Sequence, residues 1–192
     1  MAPASAFGDA HAPMSTIARS RARSAISTQT VECVVEIPKG SRNKYEYDHE
    51  LGAIKLDRFV SASVVYPTDY GFIPETLSLD GDPLDVMICV SEPTFPGCVV
   101  LIKPIALLEM EDEHGVDPHV LGVPVADPLW NSFERLEDLP PPLAAEISHF
   151  FVVYKDLDSG RRSSVQGWRD RDAALLEIEQ SRRRYGATGS LD

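Results

Sequence analysis

The chain has 192 residues and a mass of 21.1 kDa, enough for one domain of ordinary size with a substantial core. Its 30 Asp and Glu residues against 18 Lys and Arg residues give a formal charge of −12. That acidic surface repels phosphate backbones and argues against a general binder of nucleic acid or of anionic membranes. A hydrophobic content of 43% excludes a wholly disordered chain.

The cysteines and the lengths of the apolar runs indicate the redox compartment of the protein and whether it can span a membrane. Cys33, Cys89 and Cys98 form no C-x-x-C pair and sit in apolar runs, so we predict buried, reduced thiols in a cytoplasmic protein. The longest apolar run, residues 98–108, is interrupted by a lysine and a proline. It is shorter than the roughly 18 residues that a membrane span requires.

Residues 1–30 differ in composition from the rest. They are rich in Ala and Ser and carry three arginines against one acid, so this segment is +2 and the remainder is −14. Few large apolar groups are present to offset ordering entropy, which predicts a disordered N-terminal extension. Its composition fits an organelle transit peptide, a plain extension, or a start assigned upstream of a true start at Met14. We predict a single domain over residues 31–185 and a flexible tail over residues 186–192.

From residue 31 onward, β-branched and apolar residues alternate with Gly and Pro. The predicted strands, in chain order, are Val31–Ile37, Lys44–Asp48, Ala53–Val60, Ser63–Tyr66, Leu84–Val90, Cys98–Glu109 and His119–Val125. A turn at Glu50–Gly52 joins the second and third of them as a hairpin. Many short strands separated by Gly and Pro favour a closed or partly closed barrel.

The last third of the chain has helical periodicity. Pro140–Pro142 can open a helix, and the apolar residues that follow recur at i, i+4, i+7, i+8 and i+11, at Leu143, Ile147, Phe150, Phe151 and Tyr154. A second helix is predicted over Asp170–Tyr185, with acids early and three arginines late, as the helix dipole favours. The predicted fold is mainly β with flanking helices (α+β), a β-barrel with two helices beside it.

The segment Asp80–Val86, with the sequence DGDPLDV, carries the strongest chemical signal. Three carboxylates lie within six residues, and Asp85 falls inside an apolar strand, where a buried charge is costly without a cation. A hard divalent cation such as Mg²⁺ would relieve both the repulsion and the burial. The structural alternative is a solvated acidic turn. An EF-hand is excluded because its fifth and sixth positions would be Leu84 and Asp85.

Other acids and three bases are less informative alone. Glu111–Glu113 followed by Asp117 reads as a charged loop, and Glu36 interrupts the first apolar strand. Individually, the basic residues of the domain read as salt-bridge partners. Collectively, three of them could clamp an anion within an acidic site, as phosphate binding requires: Lys44, Arg58 and Lys155.

Seven separated motifs, taken in order, resemble the soluble family I inorganic pyrophosphatases of prokaryotic type over residues 31–180. The motifs are Asp80–Val86 together with Val35–Pro38, Lys44–Glu46, Leu56–Phe59, Tyr66–Gly71, Asp112–Glu113 with Asp117, and His149–Leu157. The resemblance implies an OB-like five-stranded β-barrel. It also implies Mg²⁺-dependent hydrolysis of inorganic diphosphate to two orthophosphates, by direct attack of a metal-activated water.

The resemblance also implies residue roles. Asp82 would be catalytic, orienting and deprotonating the attacking water. The implied metal ligands are Asp80, Asp85, Asp112, Asp117 and Glu36. The implied phosphate-binding residues are Lys44, Arg58, Tyr70, Tyr154 and Lys155. Further candidates for facing the site are Glu46, Tyr66, Glu113 and His119. Several Mg²⁺ ions per site are expected, with Mn²⁺ or Zn²⁺ as substitutes, in a homo-oligomer of hexameric type that binds neither nucleic acid nor membrane.

One position departs from the family pattern. Many relatives carry a lysine two positions after the residue equivalent to Asp117, where this chain has His119. If His119 fills that place, its charge would depend on pH near 6.5. Diphosphate affinity would then fall more steeply from about pH 6 to about pH 8 than in a relative that carries the lysine. The alternative is that His119 merely begins a strand. We assign no metal to His114 or His149.

Three other functions stay open at this level. A metal-binding relative without catalysis should lack part of the clamp, yet Asp82 and all three basic residues are present. An oligonucleotide-binding barrel needs a basic, aromatic-lined groove, whereas only 8% of residues are aromatic. A Mg²⁺-dependent phosphohydrolase of a larger phosphoanhydride, such as a nucleoside triphosphate, is the nearest rival, although the chain has no G-x-x-x-x-G-K loop.

Overall fold

The computed structural model describes residues 30–188, so the predicted N-terminal extension falls almost wholly outside it. Within this range there are nine strands and two α-helices. The strands are β1 (Val31–Ile37), β2 (Asn43–Asp48), β3 (Ala53–Phe59), β4 (Asp69–Phe72), β5 (Asp85–Ile88), β6 (Val99–Asp112), β7 (Gly115–Val116), β8 (His119–Pro124) and β9 (Ser163–Arg169). The helices are α1 (Pro141–Val153), preceded by a 3₁₀ turn at Leu136–Asp138, and α2 (Arg171–Thr188).

Five strands close into a ring. The order is β1–β4–β5–β8–β6, and β6 pairs back with β1. All of these pairings are antiparallel except β5 with β8, which is parallel. The far end of β6 also pairs with β7 and β9, while β2 and β3 form a separate hairpin. The closed five-stranded ring confirms the predicted barrel.

The alternation of side chains along the strands buries two clusters. In β5, Val86 and Ile88 belong to one cluster and Met87 to the other. The first cluster is completed by Ala174 and Ile178 of α2, the second by aromatic residues of α1. Each helix therefore covers one set of barrel side chains, as the period of two along a strand requires.

Both predicted helices are present. In α1, Ile147, Phe150 and Phe151 of the predicted apolar stripe are buried, whereas Leu143 is half-buried and Tyr154 follows the helix. In α2 the Asp170 carboxylate caps the first turn by accepting the Ala173 N–H at 3.0 Å. Helix α2 continues to Thr188, three residues into the predicted flexible tail, and residues 189–192 lie outside the described range. Neither helix of the described residues is both long and apolar enough to cross a membrane.

One predicted strand is wrong. Residues 63–66 are irregular, because the backbone of Tyr66 bonds to the turn after β1 rather than to a neighbouring strand. Its N–H donates to the Ser41 carbonyl at 3.0 Å, and its carbonyl accepts the Gly40 N–H at 2.8 Å. Pro67 follows directly and has no N–H to donate. The ladder instead begins at Asp69, in β4.

Sequence reasoning also missed β9. Its sequence, SSVQGWR, is mostly polar, and only Val165 and Trp168 pack against the core. It pairs along one side with the far end of β6. A strand that adds few buried side chains has little apolar alternation to reveal it.

Gly71 marks the closest approach of β1 and β4. A Cβ at Gly71 would lie 1.9 Å from the Val34 carbonyl oxygen and 2.8 Å from Val35 Cα, and neither backbone atom can move aside freely. We expect Gly71→Ala to lower the free energy of unfolding by about 1–3 kcal/mol or more, measured by urea unfolding. Gly186→Ala is the matched control, since a Cβ at that position of α2 would meet no described atom within 4 Å outside the nearby backbone of its own helix. Equal unfolding midpoints for the two variants would contradict the close approach.

Candidate active site

A polar pocket of about 190 Å³ opens beside the β2–β3 hairpin and the loop that precedes β5. Seven residues singled out in the sequence line it: Glu36, Lys44, Glu46, Tyr70, Asp80, Asp82 and Asp85. They come from β1, β2, β4, β5 and the loop between β4 and β5. The fold therefore brings to one cavity side chains that are dispersed along the sequence.

The parallel pair β5–β8 holds a compact group of two carboxylates and an imidazole. Val86 of β5 is paired with Val120 of β8, which sets Asp85 beside His119 one residue earlier in each strand. His119 Nε2 lies 3.4 Å from Asp85 Oδ2 and 3.2 Å from Asp117 Oδ2. His119 is the first residue of β8, and its ring contacts two of the carboxylates that the sequence singles out.

Burial and mutual repulsion shape the ionisation of these groups. Burial raises the pKa of Asp85 to about 7; His119 lowers that pKa, whereas Asp117 raises it. Burial also works to raise the pKa of Asp117, but the neighbouring His119 outweighs it, so that pKa is lowered. For His119, burial works to lower the pKa, and the Asp117 and Asp85 carboxylates reverse the effect and raise it.

Glu36, at the end of β1, is the second buried carboxylate of the pocket. It is 9% exposed, and its Oε1 accepts the Tyr47 N–H at 2.6 Å. Burial first, and then the nearby charge of Asp85, raise the pKa of Glu36 to about 8. Two raised carboxyl pKa values in one cavity mean that ionising both is costly without a cation.

Asp80 and Asp82 lie on the loop between β4 and β5. The Asp82 N–H donates to Asp80 Oδ1 at 3.1 Å, which turns the Asp80 carboxylate back along the loop. Burial raises the pKa of Asp80, with Asp117 and Asp82 adding to the effect. Asp82 is exposed at the rim of the pocket, where its carboxylate can meet a water molecule or a substrate.

Two basic residues of the β2–β3 hairpin carry acidic partners. Lys44, in β2, forms an ion pair with Glu46, and its Nζ lies 3.9 Å from Asp57. Arg58, in β3, donates to Asp57 at 2.5 Å and lies 3.4 Å from Asp158. Lys44 lines the pocket, whereas Arg58 does not. The partners Asp57 and Asp158 were missed as site residues, although Asp57 lies within the quoted motif Leu56–Phe59.

A third group lies at the far end of β6. Lys155 is 5% exposed, and its Nζ donates to Asp112 and Glu113, each at 2.9 Å. Against the effect of burial, the hydrogen bond from Lys155 lowers the pKa of Glu113 to about 2. None of the three lines the pocket, but the charge of Lys155 helps to lower the pKa of Asp117. The group formed by Lys155, Asp112 and Glu113 therefore lies outside the pocket lining.

Buried aromatic rings connect the groups. Tyr70 donates its hydroxyl to Asp85, and its ring packs 5.4 Å from that of Tyr66. Tyr154, the residue after α1, stacks on Phe150 with centroids 5.2 Å apart. Burial raises the pKa of Tyr70, of Tyr66 and of Tyr154, so all three hydroxyls stay protonated. Of these three, only Tyr70 lines the pocket.

Four pocket residues were not singled out from the sequence: Tyr47, His49, Phe72 and Pro83. Pro83 lies within the acidic motif, and Tyr47 and His49 follow Lys44 and Glu46 along the hairpin. The Tyr47 and His49 rings meet edge to face, with centroids 4.9 Å apart. Alternation along the strand would place Tyr47 and His49 on the opposite face from Lys44 and Glu46, so no local signal singled out these rings.

The donor set fits a divalent cation. Asp85, Asp117 and His119 each offer one ligand atom, and these atoms lie within 4.8 Å of one another. The other carboxylates of the pocket supply oxygen, the ligand that Mg²⁺ prefers. An imidazole suits Mn²⁺ or Zn²⁺ better than Mg²⁺. However, His119 Nδ1 is buried without a partner, whereas a metal-bound imidazole normally donates its other N–H. The carboxylates are therefore the better ligands, with His119 as their neighbour.

Comparison with known proteins agrees with this geometry. The family model described as inorganic pyrophosphatase matches residues 33–186. The chain is 52% identical over 161 residues to the inorganic pyrophosphatase of Methanosarcina mazei, covering 83% of this chain and 95% of that protein. The crystal structure of the inorganic pyrophosphatase from Thermus thermophilus aligns with a TM-score of 0.80 at 48% identity, covering 82% of this chain and 92% of that one.

A second solved structure leads to the same family. The inorganic pyrophosphatase of Coxiella burnetii aligns with a TM-score of 0.80 at 42% identity, covering 83% of this chain and 97% of that one. These similarities span the whole barrel and both helices. The chain therefore belongs to the inorganic pyrophosphatase family, in the prokaryotic type of family I.

Proposed function

We propose that this pocket hydrolyses inorganic diphosphate to two orthophosphates by direct attack of water, with no covalent enzyme intermediate. The observation that carries the proposal is the convergence of Asp80, Asp82 and Asp85 with Lys44 in one cavity, beside the Asp117–His119 pair. Family membership gives the reaction class. The acidic cavity supports a metal-dependent form of it, since an anionic substrate would otherwise be repelled.

Divalent cations, with Mg²⁺ as the physiological ion, supply charge neutralisation and lower the pKa of a bound water. Asp80, Asp85 and Asp117 would hold the ion that binds first, with Asp112 and Glu36 serving ions that arrive with substrate. Because burial raises the pKa values of Asp85 and Glu36, a metal ion that binds them must displace protons.

Asp82 would act as the general base. It stands at the exposed rim of the cavity, close to Asp80, where a water molecule held by the acidic loop can reach it. The Asp82 carboxylate accepts a proton from that water as the water attacks phosphorus, and it later releases the proton to solvent. General-base action of this kind contributes about 10²–10⁴-fold to rate.

The basic residues would bind and neutralise the phosphates. Lys44 and Arg58 are held by Glu46 and Asp57, so both are oriented before substrate arrives. Tyr70 adds a hydroxyl donor inside the cavity. On the other side of the site, Lys155 would reach a phosphate oxygen by exchanging one of its two carboxylate partners, and Tyr154 would add a second hydroxyl.

Phosphate release from diphosphate and from ATP, with Mg²⁺ and with EDTA, tests the function. We expect release from diphosphate with Mg²⁺ and a rate at least about two orders of magnitude lower with EDTA, since metal stabilisation is worth several kcal/mol. ATP should be a poor substrate, because the cavity of about 190 Å³ is smaller than the roughly 300–1,000 Å³ of pockets that enclose larger ligands. Comparable rates for ATP would favour the larger-substrate alternative, and an unchanged rate in EDTA would remove the metal from the mechanism.

A cytoplasmic setting and a homo-oligomer of hexameric type complete the proposal. All three cysteines are free thiols, which suits a reducing compartment. Large apolar side chains are exposed on and near the first half of β6, including Phe95, Val99 and Leu101. A second copy of the chain could cover such a surface.

A further inference from the structure

The loop between β4 and β5, residues 73–84, carries two of the proposed site residues, Asp80 and Asp82. We call it the acidic loop. None of its residues belongs to a strand or helix. The positions of the two carboxylates therefore depend on the individual hydrogen bonds that hold the loop. Those bonds lead away from the pocket to residues with no assigned role.

A buried hydroxyl closes the base of the acidic loop. The Ile73 N–H donates to the Leu84 carbonyl at 2.9 Å. Between these ends, the Thr76 hydroxyl donates to the Ile73 carbonyl at 2.5 Å and accepts the Leu84 N–H at 2.9 Å. Thr76 is 2% exposed, so water cannot replace its hydroxyl without entering the core. One side chain therefore joins both ends of the loop.

Helix α2 holds the middle of the acidic loop. The Leu77 N–H donates to the Ser181 carbonyl at 3.0 Å, and Arg184 Nε donates to the Leu77 carbonyl at 2.7 Å. The adjacent Ser78 N–H donates to the Asp82 carbonyl at 2.7 Å. A continuous series of bonds thus runs from α2, through Leu77 and Ser78, to the residue proposed as general base.

Arg184 is itself fixed by two partners on α2. Its NH2 group donates to Glu177 Oε1 at 2.6 Å and to Ser181 Oγ at 2.8 Å. It does not line the pocket. Any effect of Arg184 on the site must therefore pass through the Leu77 carbonyl and the loop backbone.

We propose that Arg184 and Thr76 are positioning residues that set the Mg²⁺ affinity of the site by ordering the acidic loop before the ion binds. An ordered loop loses less conformational entropy when its carboxylates take a metal, and residues beyond the direct ligands change metal affinity by about 10–100-fold in other sites. The inference rests on the proposed roles of Asp80 and Asp82.

The test is calorimetric titration of the folded protein with Mg²⁺, alongside melting temperature. We expect Arg184→Met and Thr76→Val to weaken Mg²⁺ binding by about 10-fold or more, and Thr76→Ser to restore it because the hydroxyl returns. Arg183→Met is the matched control: Arg183 lies on the same helix and pairs only with Glu179 at the surface. It should leave the affinity within about twofold.

The results that would overturn the inference can be distinguished from one another. If Arg184→Met and Thr76→Val bind Mg²⁺ as tightly as wild type while melting earlier, the two residues only stabilise the fold. Asp80→Asn tests the proposed ligand role of Asp80, on which this inference rests. If that variant binds Mg²⁺ with wild-type affinity, the ligand role and the inference are both overturned. Weakened binding in Asp80→Asn but not in Arg184→Met overturns the positioning role alone. If Thr76→Val does not fold, Arg184→Met carries the test, since Arg184 is less buried than Thr76.

Discussion

Replacing Asp82 by asparagine should lower kcat for diphosphate hydrolysis by about 10²–10⁴-fold. The amide has nearly the shape of the carboxylate but cannot accept the proton of the attacking water. The backbone N–H of Asp82, which donates to Asp80, is untouched by the change, so the loop should keep its conformation. Steady-state phosphate release at saturating Mg²⁺ and diphosphate measures the effect.

Glu92→Gln is the control for Asp82→Asn. It removes one negative charge from an exposed residue that does not line the pocket, so any effect of net charge alone appears in both variants. Circular dichroism and melting temperature verify that both are folded. A kcat for Asp82→Asn within about twofold of that for Glu92→Gln would remove Asp82 from the role of base, since general-base catalysis is worth far more.

Mg²⁺ should raise the melting temperature more at about pH 8 than at about pH 6. Burial raises the pKa of Glu36 to about 8 and of Asp85 to about 7, from ordinary values of 4.5 and 3.8. Without Mg²⁺, the native state keeps protons on these carboxyls that the unfolded chain has lost above about pH 5. Both groups therefore favour folding less as the pH rises toward their native values.

The size and sign of this effect follow from linkage. For each extra proton held by the native state, the free energy of unfolding falls by up to about 1.4 kcal/mol per pH unit. His119 acts in the same direction, because its pKa is raised and its stabilising proton is lost as the pH rises. When Mg²⁺ is bound, the carboxylates are ionised throughout this range, so the loss of stability should be smaller.

Melting curves with and without Mg²⁺ from about pH 6 to about pH 8 measure the effect, and taking the difference cancels groups remote from the site. Asp85→Asn should flatten the pH dependence of the melting temperature measured without Mg²⁺, because the amide has no proton to lose. Calorimetry in buffers of different ionisation enthalpy should show proton release on Mg²⁺ binding. A shift in melting temperature that is the same at both ends of the range would contradict the raised pKa values.

The acidic motif could be interpreted from the sequence because its conflict is local. Three carboxylates so close together, with Asp85 in an apolar strand, indicated a cation site from the sequence, with a solvated acidic turn as the alternative. The apolar runs of β1, β5 and β8 likewise predicted strands, since each buries side chains in the core. Helix α1 was predictable for the same reason, through its buried stripe.

The contacts that could not be predicted join residues that are far apart in the sequence. Arg58 finds Asp158 a hundred residues later, and the two carboxylate partners of Lys155 come from the end of β6. Neither pairing has a local signature. The irregular segment at 63–66 has strand-like composition, but its backbone bonds to a turn that only the folded chain brings near. Tertiary contacts outweigh local propensity at such positions.

The pairing of β5 with β8 bears on the stage of folding at which the proposed metal site is complete. Asp85 stands on one side of that parallel seam, with Asp117 and His119 on the other, so neither strand alone offers a complete set of donors. A chain whose barrel is still open there cannot hold the ion tightly. If Mg²⁺ binds these donors as proposed, it would join the two strands, and the backbone amides of Val86–Ile88 should exchange with deuterium more slowly in its presence.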